Sequence, residues 1–332
     1  MHDPIALCRA VRATGVSELL VSIEDTFAGD VLEGLRRSRK SIPPRYFYDL
    51  RGSELFDAIT HLPEYYPTRT ELGLLRQHAP DLARLAGPGR TVVEFGAGSA
   101  TKTPILLDAV RAETFVAIDI SGEYLTNALA ALAQARPGLR VVAVEGDFTR
   151  PLRLPALPLP LTGFFSGSTI GNFGHAAAVD LLRSFRATLG EGGRLVIGID
   201  TRKNPHLLEA AYDDAAGVTA QFNLNLLARI NRELDGTIPV EAFEHRAVWH
   251  DGFGRIEMHL VATSDLSFEA AGQRFAMRRG ETIHTENSYK YTLAEARLLA
   301  RASGWEPLTY WTDPEGLFGL HVWAAATDEG QP

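Results

Sequence analysis

Residues 91–102 read TVVEFGAGSATK, and this stretch decides the fold. Its first five residues form a short apolar run of the length and composition of a buried strand. Gly96 and Gly98 follow at once, where a tight turn and close approach of a ligand both favour a residue without Cβ. A helix is expected over 102–110, so the loop joins the end of a strand to the start of a helix.

Working outward, the same rhythm repeats. A helix is expected over 72–85, ahead of the first strand. Strand 114–119, helix 122–135 and strand 140–144 follow it. The Pro/Leu-rich stretch 151–161 cannot be a regular helix, because its prolines remove donors and clash with the preceding turn. After it come strand 163–166, helix 176–189 and strand 194–199. Short apolar strands separated by helices predict an α/β fold, a parallel sheet with helices on both faces and a ligand beyond the carboxyl ends of the strands.

After Asp200 the pattern changes. Helices near 206–214 and 219–234 lead into alternating runs at 242–249 and 255–262, which predicts an α+β second domain. A last helix at 293–302 and strands at 307–311 and 319–326 would close the first sheet with an antiparallel edge. The expected division is 70–202 plus 291–332 for a nucleotide-binding domain. Residues 1–69 plus 203–290 are expected to form an inserted substrate-binding domain.

Composition excludes several classes. A net charge of -8 leaves no basic domain to neutralise nucleic-acid phosphates. The one basic run, Arg36, Arg37, Arg39 and Lys40, is short and reads as a solvated turn. Cys8 is the single cysteine, so no intrachain disulfide and no cysteine-built zinc site can form, and no metal is expected. No apolar run approaches the ~20 residues that span a bilayer, and the N-terminus lacks the charged-then-apolar order of a signal peptide. A cytoplasmic monomer acting on a small molecule is the expectation.

Three successive strand ends carry ligand chemistry. Gly96 lies in the first loop, and Asp119 ends the second strand, where a carboxylate can accept from two ribose hydroxyls. Asp147 and Phe148 follow the third, where an acid can take an adenine amino group and an aromatic can read the ring. Each feature has a plain structural explanation as a turn or a cap; their order along the sheet is what favours a nucleotide. A dinucleotide fingerprint requires glycine or alanine where this loop has Thr101. Together with Glu94 and the GDF element, this favours S-adenosylmethionine, and a NAD-dependent dehydrogenase is the runner-up.

Long strings elsewhere carry a more specific likeness. SIPPRYFYDLRGSELFDAIT, LPEYYPTRTE, EFGAGSATKT, SGSTIGNF, AYDDAAGVTAQFN, NRELDG, HTENSYK and WTDPEGLFGL span most of the chain. On these motifs the sequence resembles the histidine N-alpha-methyltransferases of ergothioneine biosynthesis, which make trimethylhistidine (hercynine). The resemblance implies a Rossmann-like class I methyltransferase whose cofactor touches Gly96, Lys102, Asp119, Asp147 and Phe148. It implies that Asn172 and Tyr212 hold the substrate carboxylate, with Tyr48 and Gly167 beside the α-amine. Tyr65, Glu286 and Ser288 would surround the imidazole, with Met258 packed nearby. Asn287, where some relatives carry an apolar residue, is a departure from the motif, as are Phe95 and Ala97 in the nucleotide loop.

The side chains suit these roles. An Asn amide and a Tyr hydroxyl are neutral donors for a carboxylate, and an imidazole can donate to Glu286 while accepting from Ser288 or Tyr65. A buried site that pairs both ring nitrogens rejects analogues lacking them. The amine must lose a proton before it can attack, and water, Tyr48 or a carboxylate are open as acceptors. A tyrosine of ordinary pKa near ~10 is a poor base, so Tyr48 is expected to orient the amine. Another free amino acid such as tryptophan, or a binding module without catalysis, are the other readings.

Overall fold

The computed structural model describes residues 16–20, 26–87, 90–150, 152 and 154–326. Cys8 with the rest of residues 1–15, and positions 151 and 153 of the Pro/Leu-rich connector, lie outside the described residues. The chain divides into two compact units. The first comprises 1–23, 67–201 and 291–332, and the second 24–66 and 202–290.

The first unit is built on an eight-stranded sheet. Its order is Val16–Leu20, Arg140–Glu145, Thr114–Asp119, Thr91–Phe95, Leu161–Phe165, Arg194–Asp200, Phe318–Ala325 and Trp305–Thr312. The first six strands run parallel and the last two are antiparallel. Thr91–Phe95 and Leu161–Phe165 are wholly buried, as expected of parallel strands covered on both faces. From Thr91–Phe95 the chain builds outward first to one side and then, after the proline connector, to the other. The loop after Phe95 therefore opens at a topological switch point, where α/β sheets bind ligands.

Two expectations are corrected here. The helix placed over 72–85 is two helices, Tyr66–Gln77 and Ala79–Ala86, separated at His78. Pro80 causes the break: it lacks an N–H and is accommodated in the first turn of a new helix. Residues 16–20, expected with the second domain, instead pair in parallel with Arg140–Glu145 as an edge strand of the first sheet.

The second unit holds a four-stranded sheet in the order Lys40–Ser41, Thr282–Tyr289, Arg255–Ala262, Phe243–His250. Helices Pro205–Tyr212 and Val218–Glu233 pack against it, and helix Leu50–Thr60 packs on the latter. The DLRG sequence is a folded device within this unit. Asp49 caps helix Leu50–Thr60 by accepting from Gly52 N at 2.7 Å, and it also accepts from Asn225 Nδ2 at 2.9 Å and Arg232 Nη2 at 2.6 Å. A Cβ at Gly52 would fall 1.7 Å from the Phe47 carbonyl oxygen, so only glycine fits.

Candidate active site

In the first unit the loop Gly96–Lys102 is held by its neighbours. The amides of Gly96 and Ala97 donate to Ile118 O at 2.8 and 3.1 Å, and Gly98 N donates to Asp119 Oδ2 at 2.8 Å. The other Asp119 oxygen accepts from Ser121 N at 3.0 Å. Both carboxylate oxygens are thus fixed by backbone amides, an orientation suited to gripping a ribose diol. Burial raises the Asp119 pKa, with the Ser121 and Gly98 amides opposing it.

Gly96 has φ +76, and a Cβ there would lie 3.2 Å from Phe148 Cε1. The backbone thus favours glycine, and the Phe148 ring beside it leaves a Cβ little room. Phe148 itself stands edge-on to Phe165, with centroids 5.6 Å apart. Asp147 accepts from Thr149 N at 2.9 Å. An acid, an aromatic ring and a glycine cradle at consecutive strand ends fit the adenosine half of adenosylmethionine.

Two buried acids stand behind this loop. Glu94 accepts from Thr103 Oγ1 at 2.6 Å, and burial pushes its pKa up to about 8 despite that hydroxyl and the Lys102 charge. Glu71, wholly buried, accepts from Lys102 Nζ at 2.6 Å and from Gly167 N at 2.9 Å through the same oxygen, Oε2. Gly167 and Ser168 are both left-handed, at φ +75 and +59, and lead into the turn Thr169–Asn172. Ser168 Oγ accepts from Asp200 N at 2.9 Å, which holds this strained corner and Asn172 behind it.

The second unit carries Tyr48, Tyr65, Tyr212, Met258, Glu286 and Ser288. Glu286 and Ser288 lie two apart on strand Thr282–Tyr289 and so share one face. Their partners in the ladder are Met258 and Ile256, which places Met258 directly beside Glu286. Met258 is 1% exposed. Burial pushes the Glu286 carboxyl up to about 8, against the downward pull of Lys290. Tyr65 is edge-on to Tyr212 at 6.3 Å and to Phe56 at 6.3 Å, and Tyr48 packs on Phe56 and Phe222.

The hydroxyls of Tyr212 and Ser288 are 2.7 Å apart. The resemblance assigns one to the carboxylate end of the substrate and the other to the ring, yet here they form a single polar locus. Lys290 completes it: Nζ donates to Tyr212 Oη at 2.9 Å and to Ser288 Oγ at 2.8 Å. This lysine is 1% exposed, and its ammonium stands 4.6 Å from the Tyr212 ring centroid.

Lys290 and Glu71 are the residues that sequence reasoning passed over. Both sit inside the quoted motifs, as the last residues of HTENSYK and LPEYYPTRTE. For Lys290 a signal existed, since it continues the alternation 286, 288, 290. A further polar group, His250, Glu257 and His259, brings three ligand-type atoms within 4.8 Å of one another. It centres on the Glu257 carboxylate, which takes Arg255 Nε at 2.8 Å and His259 Nε2 at 3.0 Å, and its geometry is that of an ion-pair network.

Among the described residues no helix is long and apolar enough to cross a membrane. Residues 27–325 match the family described as histidine-specific methyltransferase, SAM-dependent. A histidine N-alpha-methyltransferase of Mycolicibacterium smegmatis is 41% identical over 315 residues, 91% of this chain and 95% of that protein. One of Mycobacterium tuberculosis is 39% identical over 303 residues, 88% and 93% of the two chains. The ergothioneine biosynthesis protein 1 of Neurospora crassa is 30% identical over 300 residues, covering 86% of this chain and 33% of that longer protein. The match favours adenosylmethionine over a nicotinamide dinucleotide as the cofactor of the glycine loop. With a match that runs through both units, the chain belongs to the SAM-dependent histidine-specific methyltransferase family.

Proposed function

We propose that this enzyme transfers methyl groups from S-adenosylmethionine to the α-amino group of L-histidine, giving trimethylhistidine for ergothioneine biosynthesis. The observation that carries the reading is the buried face of strand Thr282–Tyr289. There a carboxyl group, Glu286, and a hydroxyl, Ser288, stand on the same side with Met258 beside them. An imidazole needs one acceptor and one donor at its two nitrogens, and these residues supply both.

Bound adenosylmethionine supplies an electrophilic methyl group on its sulfonium. Gly96, Lys102, Asp119, Asp147 and Phe148 are the groups assigned to hold the cofactor. Asn172 and Tyr212 are assigned to the substrate carboxylate, and Tyr65, Glu286, Ser288 and Met258 to its ring. Gly167 and Tyr48 are assigned to the amine, which Tyr48 orients rather than deprotonates. Catalysis then rests on alignment of amine and methyl group, with no covalent intermediate on the enzyme. Three transfers require the amine to turn while ring and carboxylate stay pinned.

The test is a competition among free amino acids, with adenosylmethionine as donor and products separated by mass. Histidine alone should be methylated at an appreciable rate when tryptophan and the other amino acids are present at equal concentration. Preferential methylation of tryptophan would move the assignment to another amino acid.

A further inference from the structure

Strand Thr282–Tyr289 does not alternate cleanly. Ile283 is buried and His284 half-buried, but Thr285 and Glu286 are then buried in succession, before Asn287 is half-buried and Ser288 buried. Successive side chains of an unbroken strand point to opposite faces of the sheet. The ladder with Arg255–Ala262 gives the cause. His284 pairs with His259, yet Glu286 pairs with Met258, so two steps along one strand match a single step along the other. Thr285 is the extra residue of a β-bulge.

The bulge decides which face receives the residues assigned to the ring. If the pairing of Thr282, Ile283 and His284 continued unbroken, Thr285 would stand opposite Met258, Glu286 opposite Glu257 and Ser288 opposite Arg255. Glu286 would then share a face with His259 and Glu257, directly across from a second carboxylate. With the extra residue, Asn287 takes that face instead, and its Oδ1 lies 3.0 Å from His284 Nε2. Glu286 and Ser288 take the opposite face, beside Met258 and Ile256, where Ser288 meets the Tyr212 hydroxyl. A slip of one residue exchanges the two faces.

One side-chain hydrogen bond sits at the bulge itself. Thr285 is wholly buried, and its Oγ1 donates to Met258 O at 3.1 Å. Met258 is the ladder partner of Glu286, so the hydroxyl ties the extra residue to the backbone directly across from the carboxyl group. We infer that Thr285 is a positioning residue whose hydroxyl holds the bulge and thereby aims Glu286 at the substrate ring. This rests on the proposed histidine activity and deepens it, by naming what sets the direction of the ring-binding carboxyl.

Calorimetric titration of the full-length enzyme with histidine, and separately with adenosylmethionine, tests the inference. Thr285→Val keeps the branched shape and loses the hydroxyl. It should bind histidine about tenfold more weakly while its affinity for adenosylmethionine stays within about twofold of native. Thr285→Ser keeps the hydroxyl and should bind histidine as the native enzyme does. Added to Glu286→Gln, Thr285→Val should cost less than it costs alone, because the two residues act through one contact. Native histidine affinity in a folded Thr285→Val overturns the inference. So does equal weakening towards both ligands, or full additivity with Glu286→Gln. If Thr285→Val does not fold, Thr285→Ser still decides, since a serine variant that folds and binds histidine poorly also overturns it. Failure of the native enzyme to bind histidine would instead sink the proposed activity, and is seen before any variant is made.

Discussion

Glu71 holds Lys102 at 2.6 Å, and the oxygen that does so also accepts the Gly167 amide at 2.9 Å. One buried carboxylate thus ties the residue assigned to the cofactor to the loop assigned to the amine, both within the first unit. Glu71 is wholly buried and the Lys102 side chain is 13% exposed, so the pair is shielded from solvent. Removing the acid while leaving the base should be costly. Glu71→Ala is expected to lose about 3–5 kcal/mol in chemical denaturation and to weaken cofactor binding. A loss below about 1 kcal/mol would mean that the pair is loosely held. Gly198→Ala should have a related effect, because a Cβ there would lie 2.0 Å from Glu71 Oε1.

The two glycines of the nucleotide loop should differ in their tolerance of alanine. Both are left-handed, so each substitution incurs the backbone penalty of roughly 1–2 kcal/mol. At Gly98 the added Cβ meets nothing within 4 Å, whereas at Gly96 it presses on Phe148. Calorimetric titration with adenosylmethionine should show Gly96→Ala impaired more than Gly98→Ala. Equal affinities in the two variants would argue against Phe148 closing over the cofactor.

Glu94 and Glu286 make a prediction about pH. Both have folded-state pKa values near 8, raised by burial above the ordinary carboxyl value. The folded protein therefore holds protons that the unfolded chain releases. Stability from these groups is fully present below the unfolded pKa and is lost as pH rises towards about 8. Thermal melts of the ligand-free enzyme from pH 5 to about 8.5 should show a falling midpoint. Glu286→Gln should flatten that fall by making its own site indifferent to pH. A midpoint that rises over this interval in the native enzyme, or a slope unchanged in Glu286→Gln, would count against the buried carboxyl.

The same substitution should impair catalysis on histidine. Loss of a hydrogen bond at a buried group is worth roughly 1–3 kcal/mol, or about five- to a hundredfold in kcat/KM. Glu286→Gln should thus stabilise the empty protein at alkaline pH and weaken its use of histidine. Ser288→Ala should act in the same direction on kcat/KM. Steady-state kinetics checks both, and unchanged histidine kinetics would remove these residues from ring recognition.

The sequence carried the parallel sheet openly, because most of its strands are short apolar runs with a glycine or an acid at or just after the end. The switch point and the loop at Gly96 followed from that order. Less visible was the break at His78, since Pro80 begins a helix as comfortably as it ends one. Residues 16–20 gave no sign of their partner, because the residues they pair with lie more than a hundred positions later. Glu71 and Lys290 were hidden for a different reason. A charged residue reads as exposed until tertiary packing covers it; nothing local says that Glu71 is covered, and for Lys290 the alternation 286, 288, 290 is the one local sign. Ring recognition by Glu286 and Ser288 came from family resemblance, and the strand register then placed both on one buried face beside Met258.

The central claim is histidine trimethylation, and mass spectrometry of one reaction tests it most directly. The purified enzyme, incubated with histidine and adenosylmethionine carrying an isotopically labelled methyl group, should yield histidine bearing three labelled methyl groups on its α-nitrogen. An enzyme that binds adenosylmethionine and returns histidine unmethylated, or methylated on the ring, would contradict the account.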